Sequence, residues 1–263
     1  MQFGQQGKAR LALMLMGAVV VGIGFLGCGG TEPEAPPVSE ALSFPELQGY
    51  EAMEIPPDNP MTAEKVALGK QLYYDQRLSG DGQRSCYGCH LQEYGLTDGK
   101  PLAIGAFDKV LTRSSPTMWN IGYHTAWYWD GRATALEAQV KGAWSGGNMG
   151  ASGNAGAPDM TAICANLDAI PGYHDQFQAI FDEACTPDNV AKAVASFMRT
   201  IVAADAPWFR FRGGDTTAIS EQAQRGWTIF SEKAKCTNCH DGLLLTDLQY
   251  HNVGIGMDIT NPD

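Results

Sequence analysis

Two short stretches of the chain carry one pattern. "SCYGCHLQ" holds Cys86, Cys89 and His90, and "KCTNCHDG" holds Cys236, Cys239 and His240. Cys-x-x-Cys-His is the attachment pattern of c-type haem: the two thiols form thioether bonds to the porphyrin and the adjacent His meets the iron from one side. Two copies imply two covalently bound haem c groups, with His90 and His240 on the irons. Zinc would need four thiolates to converge, and Cys89 and Cys236 lie much further apart in sequence than ordinary zinc-site spacing. A thioredoxin-type redox pair would need a strand–helix–strand setting, and none flanks either motif.

Two haems allow two classes of function. Electron transfer uses a strong ligand on both faces of each iron, whereas catalysis needs one open face, so the remaining ligand-bearing residues matter. Residues 91–113 contain no His and no Met. His124, in "NIGYHTAWYWDGRA", and His174, in "PGYHDQF", read as loop or packing residues. His251 and Met257 follow the second motif too closely to reach the far face of a haem easily. The aromatic residues of "HTAWYWDGRA" fit a core; between two haems, an indole there would also offer a stepping stone for an electron.

The elements that must position these residues are mostly helical. Thr62 can cap a helix with Val66, Gly69 and Tyr73 on one stripe. "TALE", Thr134 to Glu137, has capping-box form, and Asp188 and Ser220 can each cap a further helix. "MTAICANLDAIPGYHDQFQAIFDEAC" reads as two helices broken at Pro171-Gly172, and the Gly- and Asn-rich "SGGNMGASGNAGAP" before it as a long loop. Strand signals are few. "GKQLYYD" and "GWTIFSE" each precede a haem motif, and Leu-Thr-Asp follows each, at Leu96–Asp98 and Leu245–Asp247. This weak internal repeat predicts two small helical units, each around one cofactor.

The chain has 263 residues and a net charge of −11. An acidic surface argues against nucleic acid and suits a basic protein partner. The N-terminus reads as a lipoprotein signal peptide over residues 1–27, with Lys8 and Arg10, an apolar run and then "FLGCGG", so that Cys28 would carry the lipid. The other reading is an uncleaved membrane anchor; both export the rest. The expected location is periplasmic, with the lipid at Cys28 holding the protein to the membrane. Residues 28–60, rich in Pro, Glu and Ser, read as a flexible tether. Cys164 and Cys185 remain once the haem and lipid cysteines are assigned. Export makes a disulfide between them the expectation, two buried free thiols being the alternative.

In order, "ALGKQLYYDQRLSGDGQRSCYGCH", "RSSPTMWN", "YWDGRATALEAQVKGAW", "FMRTIVAADAPWFRFRGGD", "RGWTIFSEKAKCTNCHDG" and "YHNVG" make the chain resemble the bacterial dihaem cytochrome c peroxidases and the related MauG-like oxidases. The resemblance implies a mostly α-helical protein of two cytochrome c-like domains, here 61–205 (peroxidatic) and 206–263 (electron-accepting). The second haem would receive electrons from a small donor protein, a cytochrome c or cupredoxin, and the first would reduce hydrogen peroxide to water. Trp129 matches the inter-haem Trp of the family. Gln139 matches a polar residue of its peroxide pocket, and Arg132 is assigned to a haem propionate on charge alone. Homodimers are common in the family.

The chain departs from that pattern in four places. Many members have a His between the first motif and the "R-x-x-P-T" segment that caps the iron until reduction; its absence here implies an open first haem, as in MauG-like members. Asn148 stands where the family's catalytic Glu is expected, so an amide replaces a proton-shuttling carboxylate unless water or Asp159 substitutes. Ser114 replaces an expected calcium-binding Asn, leaving calcium a possible further ligand. Finally, the family continues beyond "YHNVG", whereas Asp263 ends this sequence soon after His240, which implies a C-terminally truncated second domain. The leading expectation is a peroxidase. A MauG-like oxidase of a partner protein and a membrane-tethered electron-transfer cytochrome are the alternatives.

Overall fold

The computed structural model describes residues 51–254 together with Leu42, Pro45 and Leu47. The expected signal peptide, the lipid-bearing Cys28 and Met257 lie outside the described residues. Among the described residues, seven α-helices run in the order α1 (Ala63–Tyr74), α2 (Leu136–Ser145), α3 (Met160–Asp168), α4 (Pro171–Phe181), α5 (Pro187–Arg199), α6 (Pro207–Arg212) and α7 (Glu221–Thr228). Only isolated bridges, and no strands, occur among the described residues. The fold is therefore helical, as expected.

Local chemistry explains most helix starts. Thr62 caps α1 by accepting from the Lys65 N–H, Asp159 caps α3 through the Ala162 N–H, and Ser220 caps α7 through the Ala223 N–H. Pro171 opens α4 after the break between the two expected helices. Two expected caps move. Asp188 lies in the first turn of α5, where it pairs with Lys141, and Thr186 is the cap. The capping box at Thr134 does not form: α2 starts at Leu136 from an uncapped Ala135. The Glu137 carboxylate that would close the box is instead bound by Arg199 and Asn59.

The core sits where α1 and α5 cross. Leu68, Leu72 and Tyr73 pack against Ala191, Val194 and Met198, with Leu136, Val140 and Trp144 of α2 on the same cluster. Gly69 is required there, since a Cβ would overlap the Ala193 carbonyl oxygen. A second cluster joins Leu47, Met53 and Tyr123 to Phe209 and Leu243. Residues on both sides of the expected 205/206 boundary share that cluster. The described end of the expected tether is packed rather than free: Met53 and Asn59 are buried. Among the described residues, no helix is long and apolar enough to cross a membrane.

Candidate active site

The first motif forms a short 3-10 turn over Cys86–Gly88, and the Cys89 N–H donates to the Cys86 carbonyl at 3.2 Å. Beyond His90 the chain folds back through a bridge between Leu91 and Thr97, and Leu96 takes a left-handed conformation, φ 61°. That turn aims the Leu96 carbonyl at the imidazole, 3.0 Å from His90 Nδ1. With Nδ1 occupied, Nε2 is the nitrogen left for an iron; such a bond fixes both tautomer and ring orientation.

The second motif repeats the arrangement. Its turn spans Cys236–Asn238, the Cys239 N–H donates to the Cys236 carbonyl at 3.2 Å, Leu245 has φ 56°, and His240 Nδ1 lies 3.2 Å from the Leu245 carbonyl. The Leu-Thr-Asp echo in the sequence thus has a physical meaning. In each copy its leucine adopts a strained left-handed backbone that presents a carbonyl to the motif histidine.

A cavity of about 480 Å³ opens beside the first motif. Cys86, Cys89 and His90 line it, and so do Trp129, Arg132, Gln139 and Asn148. The site residues expected around the first haem are therefore brought to one cavity. Its size lies in the range of cofactor pockets, and its donor set of two thiols and an imidazole beside apolar walls fits a c-type haem. Burial holds His90 below the usual imidazole pKa, against opposing backbone hydrogen bonds; a ligating imidazole must be neutral. Burial pushes the Cys86 thiol up to about 12. A thioredoxin-type nucleophile needs the opposite shift.

Trp129 stands at the tip of a hairpin closed by a bridge between Trp127 and Ala133. Its indole Nε1 donates to the Ser114 carbonyl at 2.9 Å, and the side chain is 56% exposed. The hairpin is tied to α2 by the Tyr128 hydroxyl, which donates to the Gln139 carbonyl at 3.0 Å. Arg132, expected at a propionate, stacks 3.5 Å above the Tyr128 ring and pairs with Asp130 at 2.8 Å. Asp130 also meets Arg113 at 3.4 Å, so one carboxylate faces two guanidinium groups at the cavity edge. Gly131, at φ 67°, leaves room for the Tyr250 hydroxyl, which a Cβ would strike. The chain that follows the second motif thereby touches the Trp129 hairpin.

Other expected residues fall elsewhere. Asp159 is used as the α3 cap and does not line the cavity. His174 pairs with Asp168, and His251 with Asp247. His124 is largely buried, which lowers its pKa, and it does not line the cavity. The Ser114 carbonyl is used by Trp129. Among the described residues, no group of three or more His, Cys, Asp or Glu could hold a metal ion. Cys164 and Cys185, expected to be bridged, are free buried thiols in hydrogen-bond contact with each other. That contact and burial raise the Cys185 pKa.

Several cavity residues go unmarked in the sequence. Met118, Met149 and Met198 line the cavity, as do Tyr73 and Trp144. Met149 directly follows Asn148, and Met118 lies in the "RSSPTMWN" segment, so both adjoin recognised signals. Near the second motif a smaller hollow of about 280 Å³ is lined by Trp208, Trp227, Phe230 and Leu245. The Phe230 and His240 ring centres are 6.1 Å apart.

A helical fold with two haem-attachment motifs, one of them beside an open cavity, defines a dihaem c-type protein. The family model for di-haem cytochrome c peroxidase matches residues 63–217, and the chain belongs to that family. It is 40% identical over 215 residues to the cytochrome-c peroxidase IdrP1 of Denitromonas iodatirespirans, covering 81% of this chain and 56% of that protein. It is 38% identical over 212 residues to the methylamine utilization protein MauG of Methylorubrum extorquens, covering 78% of this chain and 57% of that protein. Among solved structures, a MauG-like protein associated with microbial copper homeostasis superposes with a TM-score of 0.65 at 29% identity, covering 83% of this chain and 61% of that one. The chain thus spans just over half the length of these curated relatives.

Proposed function

We propose that the protein reduces hydrogen peroxide to water with electrons from a small redox protein, the first haem being the peroxide site and the second the electron acceptor. The observation that carries this reading is the shared cavity, in which the Cys86–Cys89–His90 donor set meets the Gln139 and Asn148 amides. A haem held there would supply an iron able to bind peroxide and retain its oxidising equivalents.

The chain's own residues would do the rest. The Leu96 carbonyl holds the His90 ring in register. Gln139 and Asn148 offer amide hydrogen bonds to a peroxide oxygen, and neither can shuttle a proton as a carboxylate would. Asp130, a carboxylate at the cavity edge, is held below the usual carboxylate pKa by Arg132 and Arg113. Proton movement between the oxygens therefore falls to water. Trp129, fixed by Ser114 and carried on a hairpin that touches the segment after the second motif, lies on the route between the centres.

A second reading, oxidation of a residue on a partner protein, is favoured by the lack of any His in residues 91–113 that could close the iron at rest. Export and lipidation at Cys28 belong to the same proposal, and intact mass of protein extracted from its own membrane tests them. For the main reading, the holoprotein is mixed with peroxide and a reduced small c-type cytochrome. The expected result is catalytic donor oxidation at two donors per peroxide. A holoprotein that reacts with peroxide but never oxidises such a donor would contradict it in favour of the second reading.

A further inference from the structure

The cavity has an aromatic outlet that starts at Tyr73. Tyr73 lines the cavity wall and is only 2% exposed. Its ring lies 5.2 Å, edge to face, from that of Tyr74, which is 48% exposed. Tyr74 in turn lies 4.9 Å from the half-buried ring of Tyr87, the first of the two residues between the first-motif cysteines. Three tyrosines therefore run from the cofactor cavity to solvent at van der Waals spacing.

The three are not equivalent. Among the described residues, the hydrogen-bond partners of the Tyr73 hydroxyl are the Met118 sulfur and the His90 carbonyl, both at 3.4 Å. Neither is a base that could take the phenolic proton. An electron lost from Tyr73 leaves its proton with nowhere to go, so a hole there is short-lived. At Tyr74 the hydroxyl reaches water, which takes the proton. Oxidising equivalents entering through Tyr73 would settle on the outer pair.

Resting on the peroxide reading above, we propose that Tyr73, Tyr74 and Tyr87 form an outlet for surplus oxidising equivalents, ending in a peroxide-dependent cross-link between Tyr74 and Tyr87. One hydrogen peroxide is reduced to two waters. The two electrons and two protons come from the outer tyrosines, one of each from either ring. A carbon–carbon bond forms between their ortho positions, and each ring loses its ortho hydrogen and keeps its hydroxyl. The outlet acts when no donor supplies electrons, which spares the cavity's own methionines and tryptophans.

The test uses the dihaem holoprotein, treated with a small excess of peroxide without donor and analysed by peptide mass spectrometry, with the haem absorption spectrum recorded in parallel. The expected product is a Tyr74–Tyr87 cross-link lighter than the two separate peptides by two hydrogens. It is lost in Tyr74→Phe, and lost in Tyr73→Phe although that variant keeps the packing. It is also suppressed when reduced donor is present. A haem spectrum that responds to peroxide while oxidation falls only on Met118 or Trp129 would overturn the outlet and leave the peroxidase reading standing. A cross-link that persists in Tyr73→Phe would overturn the relay through Tyr73. A haem spectrum unmoved by peroxide would overturn both.

Discussion

Trp129 and Ser114 are joined by a single hydrogen bond: the indole Nε1 donates to the Ser114 carbonyl at 2.9 Å, and this fixes a ring that is otherwise more than half exposed. The bond makes the indole part of the loop after Arg113 as well as of its own hairpin. On the relay reading proposed above, the indole must hold one orientation, and this contact supplies it. Trp129→Phe removes both the bond and the indole. The expected outcome is slower electron transfer between the haems, read by rapid mixing of the half-reduced holoprotein, with both haem spectra unchanged. Transfer at the wild-type rate would show that Trp129 is not on the route.

Glu137 and Arg199 bear on stability. Their side chains are 16% and 4% exposed, and the guanidinium grips the carboxylate at 2.6 and 3.2 Å. Asn59 adds a bond at 2.7 Å and links the pair to Lys65. Removing one partner of such a buried pair costs about 3 kcal/mol, because the other charge is left uncompensated. Glu137→Gln should lower the unfolding free energy by about that amount. Burial alone would raise the Glu137 pKa, but the hydrogen bonds from Arg199 and Asn59 bring it below the usual carboxylate value. Its contribution is therefore present above the unfolded-state pKa and is lost as pH falls through the folded one. Melting temperatures of wild type and Glu137→Gln should converge in acid; a gap that stays constant with pH would contradict the assignment.

Cys164 and Cys185 are buried and in contact, although far enough apart in sequence to tie α3 to the start of α5. An oxidising compartment should close them into a disulfide, worth about 2–4 kcal/mol. A non-reducing peptide map of exported protein should show the bridge, and Cys164→Ser should lower the melting temperature measured without reductant. Recovery of both as free thiols from exported protein would count against the bridge.

Asn148 lines the cavity with an amide where the resemblance places a carboxylate. If the amide limits the movement of a proton between peroxide oxygens, Asn148→Glu should raise peroxide turnover, by about 100-fold on the scale of general acid–base catalysis. A variant with intact haem spectra and no gain in turnover would show that water already performs this step.

Much of the site is legible in the amino-acid sequence. The two haem motifs are local, so Cys86, Cys89, His90 and their second copies are named by spacing alone. Trp129, Gln139 and Asn148 are assigned by resemblance, and the fold brings them to the same cavity. What escapes is non-local. Glu137 has the right spacing for a capping box, yet a partner at position 199, distant in sequence, displaces the local bond. Arg132 reads as free for a propionate, whereas Asp130 and Tyr128 engage it in the folded chain. The Leu-Thr-Asp repeat marks Leu96 and Leu245 but not what their carbonyls do, because that role depends on a left-handed backbone that leucine rarely adopts.

The peroxide reading requires that the haem at His90 be open and react with peroxide. The most direct measurement is the electron paramagnetic resonance spectrum of the oxidised holoprotein, recorded before and after one equivalent of peroxide. One high-spin and one low-spin ferric signal are expected, with the high-spin signal lost on peroxide addition. Two low-spin signals, both indifferent to peroxide, would contradict it and make the protein an electron-transfer cytochrome.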